Sequence, residues 1–354
     1  MNEKLRIGVI GLGIIGEQYV RIFQSHAQSQ VIAVATRTVE KAKVIAEKYN
    51  VEHACASWAD MISMPDVDAV CVVTPDSLHY EFARAALEAG KHVLIEKPMT
   101  TDLKEADALV ELARKTNLKV QVAFNHRWIA SYYQGHLAIQ AGSIGRPVMA
   151  FARKNDRIFV ATDYINWAAQ TTPAWFLSSH DIDLVRWYFA SEPVEARAWG
   201  VKRVLAARGI DTYDAIQAQV RFESGAIATF ESSWIYPNTF PTLVDSFVEV
   251  IGEHGHLHFD RKRESVELST NESFTYPRGF LLTEIFGTLR GASPSCLTDF
   301  VSCVLEDRKP SVDAVDGRQV TATLAAIHQS LQSGTTVPVV QLNEGENTGE
   351  NSQS

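Results

Sequence analysis

An apolar run at residues 5–10 (LRIGVI) ends in Gly11-Leu12-Gly13-Ile14-Ile15-Gly16 and passes directly into a helix-like EQYVRIF. No other stretch narrows the possible folds as far. A buried strand has to turn sharply at its end, and glycine adopts the backbone angles that such a turn requires at no steric cost. The helix that follows then points its free N–H groups and the positive end of its dipole at whatever lies beyond the strand. Strand, glycine turn and helix together predict a dinucleotide site in which Gly11, Gly13, Ile14, Ile15 and Gly16 approach a pyrophosphate. The competing reading is a plain tight turn between strand and helix.

The alternation that starts there continues to residue 123. Strands are expected at 31–35, 53–56, 68–73, the run leading to Lys97, and 119–123, with helices at 41–49, 82–89 and 102–116. Six strands separated by helices predict an α/β fold class: an N-terminal Rossmann domain over residues 1–123, built on a doubly wound parallel sheet. Ligands of such sheets bind at the carboxyl ends of the strands.

Three of those ends carry the expected cofactor contacts. After the second strand, an NAD-binding unit would place an acidic residue on the ribose; this chain has Thr36-Arg37-Thr38 instead. Arg37 suits a 2′-phosphate through a forked, charge-assisted contact, and the two threonines can add hydroxyls, so NADP is the preferred cofactor and NAD the alternative. A solvated Arg37 and a Thr38 that only caps a helix would leave that preference without support. After the fourth strand, Thr74-Pro75-Asp76 can line the nicotinamide side, with His79 and Glu96 counted on the same wall; an ordinary strand-to-helix turn is an equal account. After the fifth strand, KHVLIEKPM delivers Glu96 and Lys97 at the strand tip. Pro98 fixes its own φ and holds Lys97 extended, while admitting a cis bond between the two. Taken alone, the pair could equally be a solvated surface turn.

From residue 124 the rhythm changes. Strands are expected at 148–154, 194–202, 215–222, 226–233, 246–251 and 265–269, several with period-two alternation, and one main helix at 173–188. Aromatic side chains concentrate at Tyr164, Trp167, Trp175 and Phe176, with Trp234 and Tyr236 on a strand end. Such faces stack on sugar rings, and Asn125, Arg127 and Asp163 can bond hydroxyls, although aromatics at helical spacing usually pack as core. His254, His256 and His258 alternate, but no companion ligand segment accompanies them, so no metal is expected. Residues 341–354 are polar and free of aromatics after Leu342, and read as a disordered tail.

Composition sets the remaining bounds. A net charge of −9 argues against a nucleic-acid partner, which usually leaves a basic stripe. The four cysteines form no CxxC pair and two sit in apolar runs, so buried thiols in a reducing cytoplasm are expected. Lys4 and Arg6 before an apolar run imitate a signal peptide, but that run holds glycines and continues into a helix. No apolar stretch reaches membrane-span length.

GLGIIG, TPDSLHYEFARAALEAGKHVLIEKPM, AFNHRW, SSHDIDLVRW and the ending DFVSCVLEDRKPSVDAVDGRQVTATLAAIHQSLQSG together resemble the Gfo/Idh/MocA oxidoreductases, over about residues 4 to 340. The resemblance implies a C-terminal α+β domain at 124–340, built on a mostly antiparallel open sheet that binds substrate and mediates homo-oligomers, dimer or tetramer. It also implies hydride transfer between a nicotinamide and a carbinol or carbonyl carbon of a sugar, cyclitol or related polyol. The family's lysine of EKP falls on Lys97 and its histidine of H-x-x-D on His180, with Asp183 completing the pattern on the substrate side. The family's aspartate four positions before that histidine is Phe176 here. Asp163, Asp181 and Asp183 are the nearest carboxylates that could stand in for it. In this reading His180, near its ordinary pKa of about 6.5, is the base, and Lys97 stabilises the developing alkoxide. A nicotinamide-assisted lyase or glycosidase without net redox change, and a non-catalytic nucleotide-binding regulator, are the rival readings on the same scaffold.

Overall fold

The computed structural model describes residues 4–262 and 266–342. The first half forms β1 (Leu5–Ile10), α1 (Ile14–Ser25), β2 (Ser29–Ala35), α2 (Val39–Tyr49), β3 (His53–Cys55), α3 (Trp58–Ser63), β4 (Ala69–Val72), α4 (His79–Glu88), β5 (His92–Ile95), α5 (Leu103–Thr116) and β6 (Val120–Val122). The strands make one parallel sheet in the order β3-β2-β1-β4-β5-β6. Such strands are apolar on both faces, because helices cover both: β4 is buried throughout and β1 nearly so. The order reverses between β1 and β4, so the glycine turn after β1 and Thr74 after β4 flank the crevice where doubly wound sheets bind ligands. Lys97 follows β5 at the same edge.

The second half forms α6 (Ala130–Gln140), β7 (Pro147–Arg157), α7 (Ser179–Phe189), β8 (Pro193–Val201), β9 (Ala215–Phe222), β10 (Ile227–Tyr236), β11 (Val244–Gly252) and β12 (His256–Asp260). Two small hairpins follow, β13 (Leu268–Ser269) with β14 (Phe274–Thr275) and β15 (Thr283–Ile285) with β16 (Thr288–Arg290), then α8 (Ala292–Leu305), α9 (Ala314–Ser333) and β17 (Val337–Pro338). The large sheet runs β12-β11-β7-β10-β9-β8-β17 and is antiparallel except for the β7/β10 pair. Together the halves form the α/β Rossmann-plus-α+β architecture expected.

Several expectations change, and the main helix of the second half is α9, of 20 residues, rather than the one expected at 173–188. The single helix expected at 173–188 is split: a π-helical turn at Ala174–Ser178 precedes α7. Such wide turns interrupt the hydrogen-bond ladder and are frequent at functional sites. The strand expected at 265–269 shortens to β13, and its Ser265 lies outside the described residues, as do residues 343–354 of the expected tail. Of that tail, Gln341 is tied down, donating to the Pro193 carbonyl at 2.7 Å.

α9 holds the halves together. Asp313 caps its first turn in a reciprocal capping box, and Arg318, 1 % exposed, reaches Asp107 of α5 at 2.7 Å. Thr321 also donates to the Thr100 carbonyl, so the seam is polar as well as apolar.

Candidate active site

A cavity of about 1030 Å³ opens between the two halves. At one end lies the glycine turn. Gly11 has φ +93°, and a Cβ there would meet the Val73 carbonyl oxygen at 2.3 Å. A Cβ on Gly16 would lie 1.9 Å from the Gly11 carbonyl oxygen, whereas Gly13 faces open space. Gly13 is also the N-cap of α1 and supplies no side-chain acceptor, so the first N–H groups of the helix remain available to an anion. Ile14 and Ile15, 54 % and 39 % exposed, lie at the cavity wall. Among the described residues, three buried polar atoms of the cavity lining have no protein partner: His180 Nδ1 and, of use to a cofactor, Thr74 Oγ1 and Asn125 Oδ1. A cradle that admits no Cβ, a bare helix amino terminus and two unsatisfied polar atoms fit a dinucleotide.

Arg37 and Thr36 line the cavity beside Lys41, Ser57 and Trp58, three residues that the motif reading did not mark. Lys41, in the first turn of α2, becomes legible only once the fold places it on the cavity wall beside Arg37. Thr38 is exposed, makes no side-chain cap bond and does not line the cavity.

The Lys97 end is built from struts. The Lys97–Pro98 bond is cis. Glu96 accepts from the Tyr19 hydroxyl with one oxygen and from the Lys97 backbone N–H with the other, at 3.0 Å. Asp76, 3 % exposed, accepts from the Thr171 hydroxyl at 2.7 Å and the Ser77 N–H at 2.8 Å, joining the first half to the second. His79 is a strut and not a wall: its ring nitrogens lie 2.7 and 2.9 Å from the carbonyl oxygens of Pro98 and Thr74, and it does not reach the cavity. Lys97 Nζ donates to the Phe176 carbonyl at 2.7 Å and lies 4.5 Å above that ring. Residue 176 thus meets the lysine with a backbone oxygen and a π face where a carboxylate was expected. Burial lowers the Lys97 pKa, against the pull of Glu96, Asp76 and Asp156.

His180 lines the cavity near its floor. Its ring stacks on His126 at 4.0 Å and 10°, with Phe124 edge-on at 6.1 Å. Burial, then the positive charges of Lys97, Lys154 and Arg261, push its pKa well below 6.5. The expectation of an unperturbed histidine is therefore corrected: the imidazole is neutral at pH 7 and holds an added proton poorly. Behind it Lys154 pairs with Asp181, both buried, and burial brings Lys154 down to about 8.

Asn125, Asp163, Tyr164, Trp167 and Phe176 share the cavity with Lys97 and His180. Five residues expected to face substrate do not line the cavity: Arg127, Asp183, Trp175, Trp234 and Tyr236, the last accepting from the Asn155 amide at 3.0 Å. Arg127 forks onto Asp183 at 2.9 and 2.5 Å, with Asp316 a further 3.3 Å contact; Asp183 is fully buried. Burial pushes the Asp183 carboxyl up against the opposing pull of Arg127. Trp175 is 7 % exposed and stacks on His328 at 5.0 Å. Trp234, fully buried, donates to the Tyr213 carbonyl at 2.6 Å. Of the stand-in carboxylates, Asp163 sits exposed at the rim bonded to Thr162, while Asp181 and Asp183 are paired away from the cavity. A buried acid that faces the cavity besides Asp76 is Asp156, at the end of β7, which the sequence pattern did not mark. Among the described residues no group of three His, Cys, Asp or Glu side chains is arranged to hold a metal, the four cysteines are free and buried, and no helix is long and apolar enough to cross a membrane.

Comparison with known proteins agrees with this architecture. Residues 5–124 match an oxidoreductase family with an NAD-binding Rossmann fold, and residues 137–339 match the C-terminal alpha/beta domain of that family. The chain is 30 % identical to inositol 2-dehydrogenase 3 of Saccharopolyspora erythraea, over 95 % of each chain. It is 26 % identical to myo-inositol 2-dehydrogenase of Thermotoga maritima, over 96 % of this chain and 99 % of that one. In fold it is similar to scyllo-inositol dehydrogenase of Lactobacillus casei solved with NAD(H) and scyllo-inositol, with TM-score 0.83 and 24 % identity over 96 % of this chain and 100 % of the other. With both halves matched in order and the glycine turn, EKP and H-x-x-D segments meeting at one cleft, this chain belongs to the Gfo/Idh/MocA oxidoreductase family.

Proposed function

We propose that this protein is a nicotinamide-dependent dehydrogenase acting on a CH–OH group of a cyclitol, sugar or related polyol. The carrying observation is the single cleft that runs from the glycine turn to Lys97 and His180, so that one end can hold a pyrophosphate while the other meets a hydroxylated carbon. The substrate class is supported by the inositol dehydrogenases among the relatives and by a wall of Tyr164, Trp167 and Phe176 interleaved with Asn125 and Asp163. When bound, the nicotinamide supplies the hydride acceptor or donor. Gly11, Gly16 and the amino terminus of α1 would hold its pyrophosphate, and Thr74 and Asn125 the atoms nearer its reactive ring. Lys97 donates a hydrogen bond to the reacting oxygen and stabilises negative charge on it. His180, as neutral imidazole, donates its ring N–H to that oxygen and orients it, which leaves the hydroxyl's own proton to a base.

NADP is the proposed cofactor. Arg37 and Lys41 both line the expected ribose end, neither is ion-paired among the described residues, and no carboxylate stands at the end of β2. The protein is also proposed to be a homo-oligomer, with exposed Val148, Met149, Trp199, Val201 and Ile227 on the large sheet as candidate contacts.

A panel of inositols, aldoses and their keto forms, read by absorbance of the reduced nicotinamide, tests the activity. Accumulation of reduced cofactor with at least one polyol is expected, and Lys97→Ala should retain cofactor binding while losing turnover. Full turnover in that variant would remove Lys97 from the chemistry. NADPH and NADH titrations by fluorescence test the cofactor preference; equal affinities would overturn it.

A further inference from the structure

We propose that Asp156 is a second acid–base residue of this site, bonding the substrate beside the reacting carbon and taking up the proton that its hydroxyl releases. This deepens the dehydrogenase reading above and rests on it.

Asp156 is a buried carboxyl without a hydrogen-bond donor among the described residues. Asp156 is 4 % exposed and lines the cavity with Lys97 and His180. The other acids of that wall are engaged: Glu96 by Tyr19, Asp76 by Thr171, Asp163 by Thr162. Among the described residues Asp156 alone of these four has no hydrogen-bond donor on its carboxyl. Burying a carboxyl without a partner is costly, and such a group persists where a ligand completes it.

The backbone aims it there. Across β7, Asn155 pairs with Ser233 and Arg157 with Tyr236, so two residues of β10, Trp234 and Ile235, stand opposite Asp156 alone. The ladder is thus irregular at Asp156, as is common beside active sites. Lys154 and Asp156 are two apart on one strand and share a face. Lys154 is spent on Asp181, which leaves Asp156 as the acidic group presented to the substrate end. The charges facing it are Arg278, Lys97, Lys154 and Arg157, and the Tyr164 hydroxyl feels its field. Burial outweighs these cations and raises the carboxyl to about 7.

The chemistry calls for such a group. Oxidation breaks a C–H bond, whose electron pair leaves with the hydrogen for the nicotinamide, and an O–H bond, whose proton needs a base; the C=O bond forms. His180, with its basicity suppressed, orients that hydroxyl but is a poor resting place for the proton. An ionised Asp156 takes it as a neutral carboxylic acid and later releases it to water. Reduction runs the same transfers backwards. With Phe176 contributing only a carbonyl and a ring, Asp156 supplies the carboxyl that residue lacks.

Two readouts on the full chain test this. In the first, Asp156→Asn is compared with wild type for the rate of polyol oxidation across pH 5 to 10, alongside NADPH binding. A loss of at least about 100-fold in kcat is expected, the scale of positioned acid–base catalysis, with disappearance of the rising limb near pH 7 and unchanged NADPH affinity. A variant that keeps the wild-type rate and limb overturns the proposal. In the second, the protein with 13C-labelled aspartate carboxyls and no cofactor is titrated by NMR. One carboxyl titrating near neutrality in wild type and missing in Asp156→Asn supports the assignment; its absence in wild type overturns it. A wild type that reduces no cofactor with any polyol refutes the polyol reading and the proton role of Asp156 with it, whereas turnover that survives in Asp156→Asn overturns the proton role alone.

Discussion

Replacing Asp183 by asparagine separates a structural role from substrate recognition at a residue that the H-x-x-D pattern would assign to the substrate. Asp183 is fully buried and receives two bonds from Arg127, at 2.9 and 2.5 Å. Removing one partner of such a pair costs roughly 3–5 kcal/mol, because the remaining charge stays in a dry site. Here Arg127 keeps Asp316 at 3.3 Å and the Ser311 carbonyl at 3.2 Å, and asparagine keeps one acceptor oxygen. The lower end, about 3 kcal/mol, is therefore expected. Unfolding entropy of ~2.1 cal/mol/K per residue gives a chain of 354 residues roughly 0.7 kcal/mol/K, hence a fall in Tm of about 4 °C. If the region 137–339 melts by itself, the smaller entropy raises the shift to about 7 °C. Differential scanning calorimetry reads the shift, and steady-state kinetics well below Tm read the substrate. KM should change by less than about two-fold, since Asp183 does not reach the cavity. An unaltered Tm together with a KM raised about tenfold or more would refute the structural assignment and return Asp183 to the substrate.

Gly16→Ala should abolish cofactor binding in a fluorescence titration, because the added methyl meets the Gly11 carbonyl at 1.9 Å; wild-type affinity would show that the turn does not hold the pyrophosphate. Tyr19→Phe removes a donor from Glu96 and should cost about 1–2 kcal/mol in chemical denaturation, with kcat reduced through a looser Lys97 backbone; no loss of either would remove Glu96 as a strut. His328 Nδ1 donates to the Leu324 carbonyl at 2.7 Å and Nε2 accepts from the Thr172 hydroxyl at 2.8 Å, and burial lowers its pKa to about 4. The unfolded chain binds that proton first, so the contribution is complete above about pH 6.5 and is lost as pH falls towards 4, by up to ~3 kcal/mol. His328→Gln should lose that much less stability over the same interval in acid denaturation; parallel curves would contradict the buried neutral histidine.

The sequence by itself determined the elements whose signals are local. The buried strands, the glycine turn, the helix after it and the placement of Glu96 and Lys97 at a strand tip follow from residues a few positions apart, and the sheet formed as those patterns required. Similarity along the whole chain located His180 and the departure at Phe176. Tertiary structure decided which polar side chains face the cavity and which face each other. Arg127 and Asp183 are 56 positions apart and look as suitable for hydroxyls as Asn125 does, until the fold turns them together. Asp156 sits in an unremarked KND run and becomes a cavity acid only because the fold carries the end of β7 to the cleft between the halves. His180 reads as an ordinary histidine until burial, the His126 ring and three cations surround it. The physical reason is common to all three: strand and helix propensities act between neighbours, whereas desolvation, ion pairing and pKa depend on atoms that only the folded chain brings within a few ångströms.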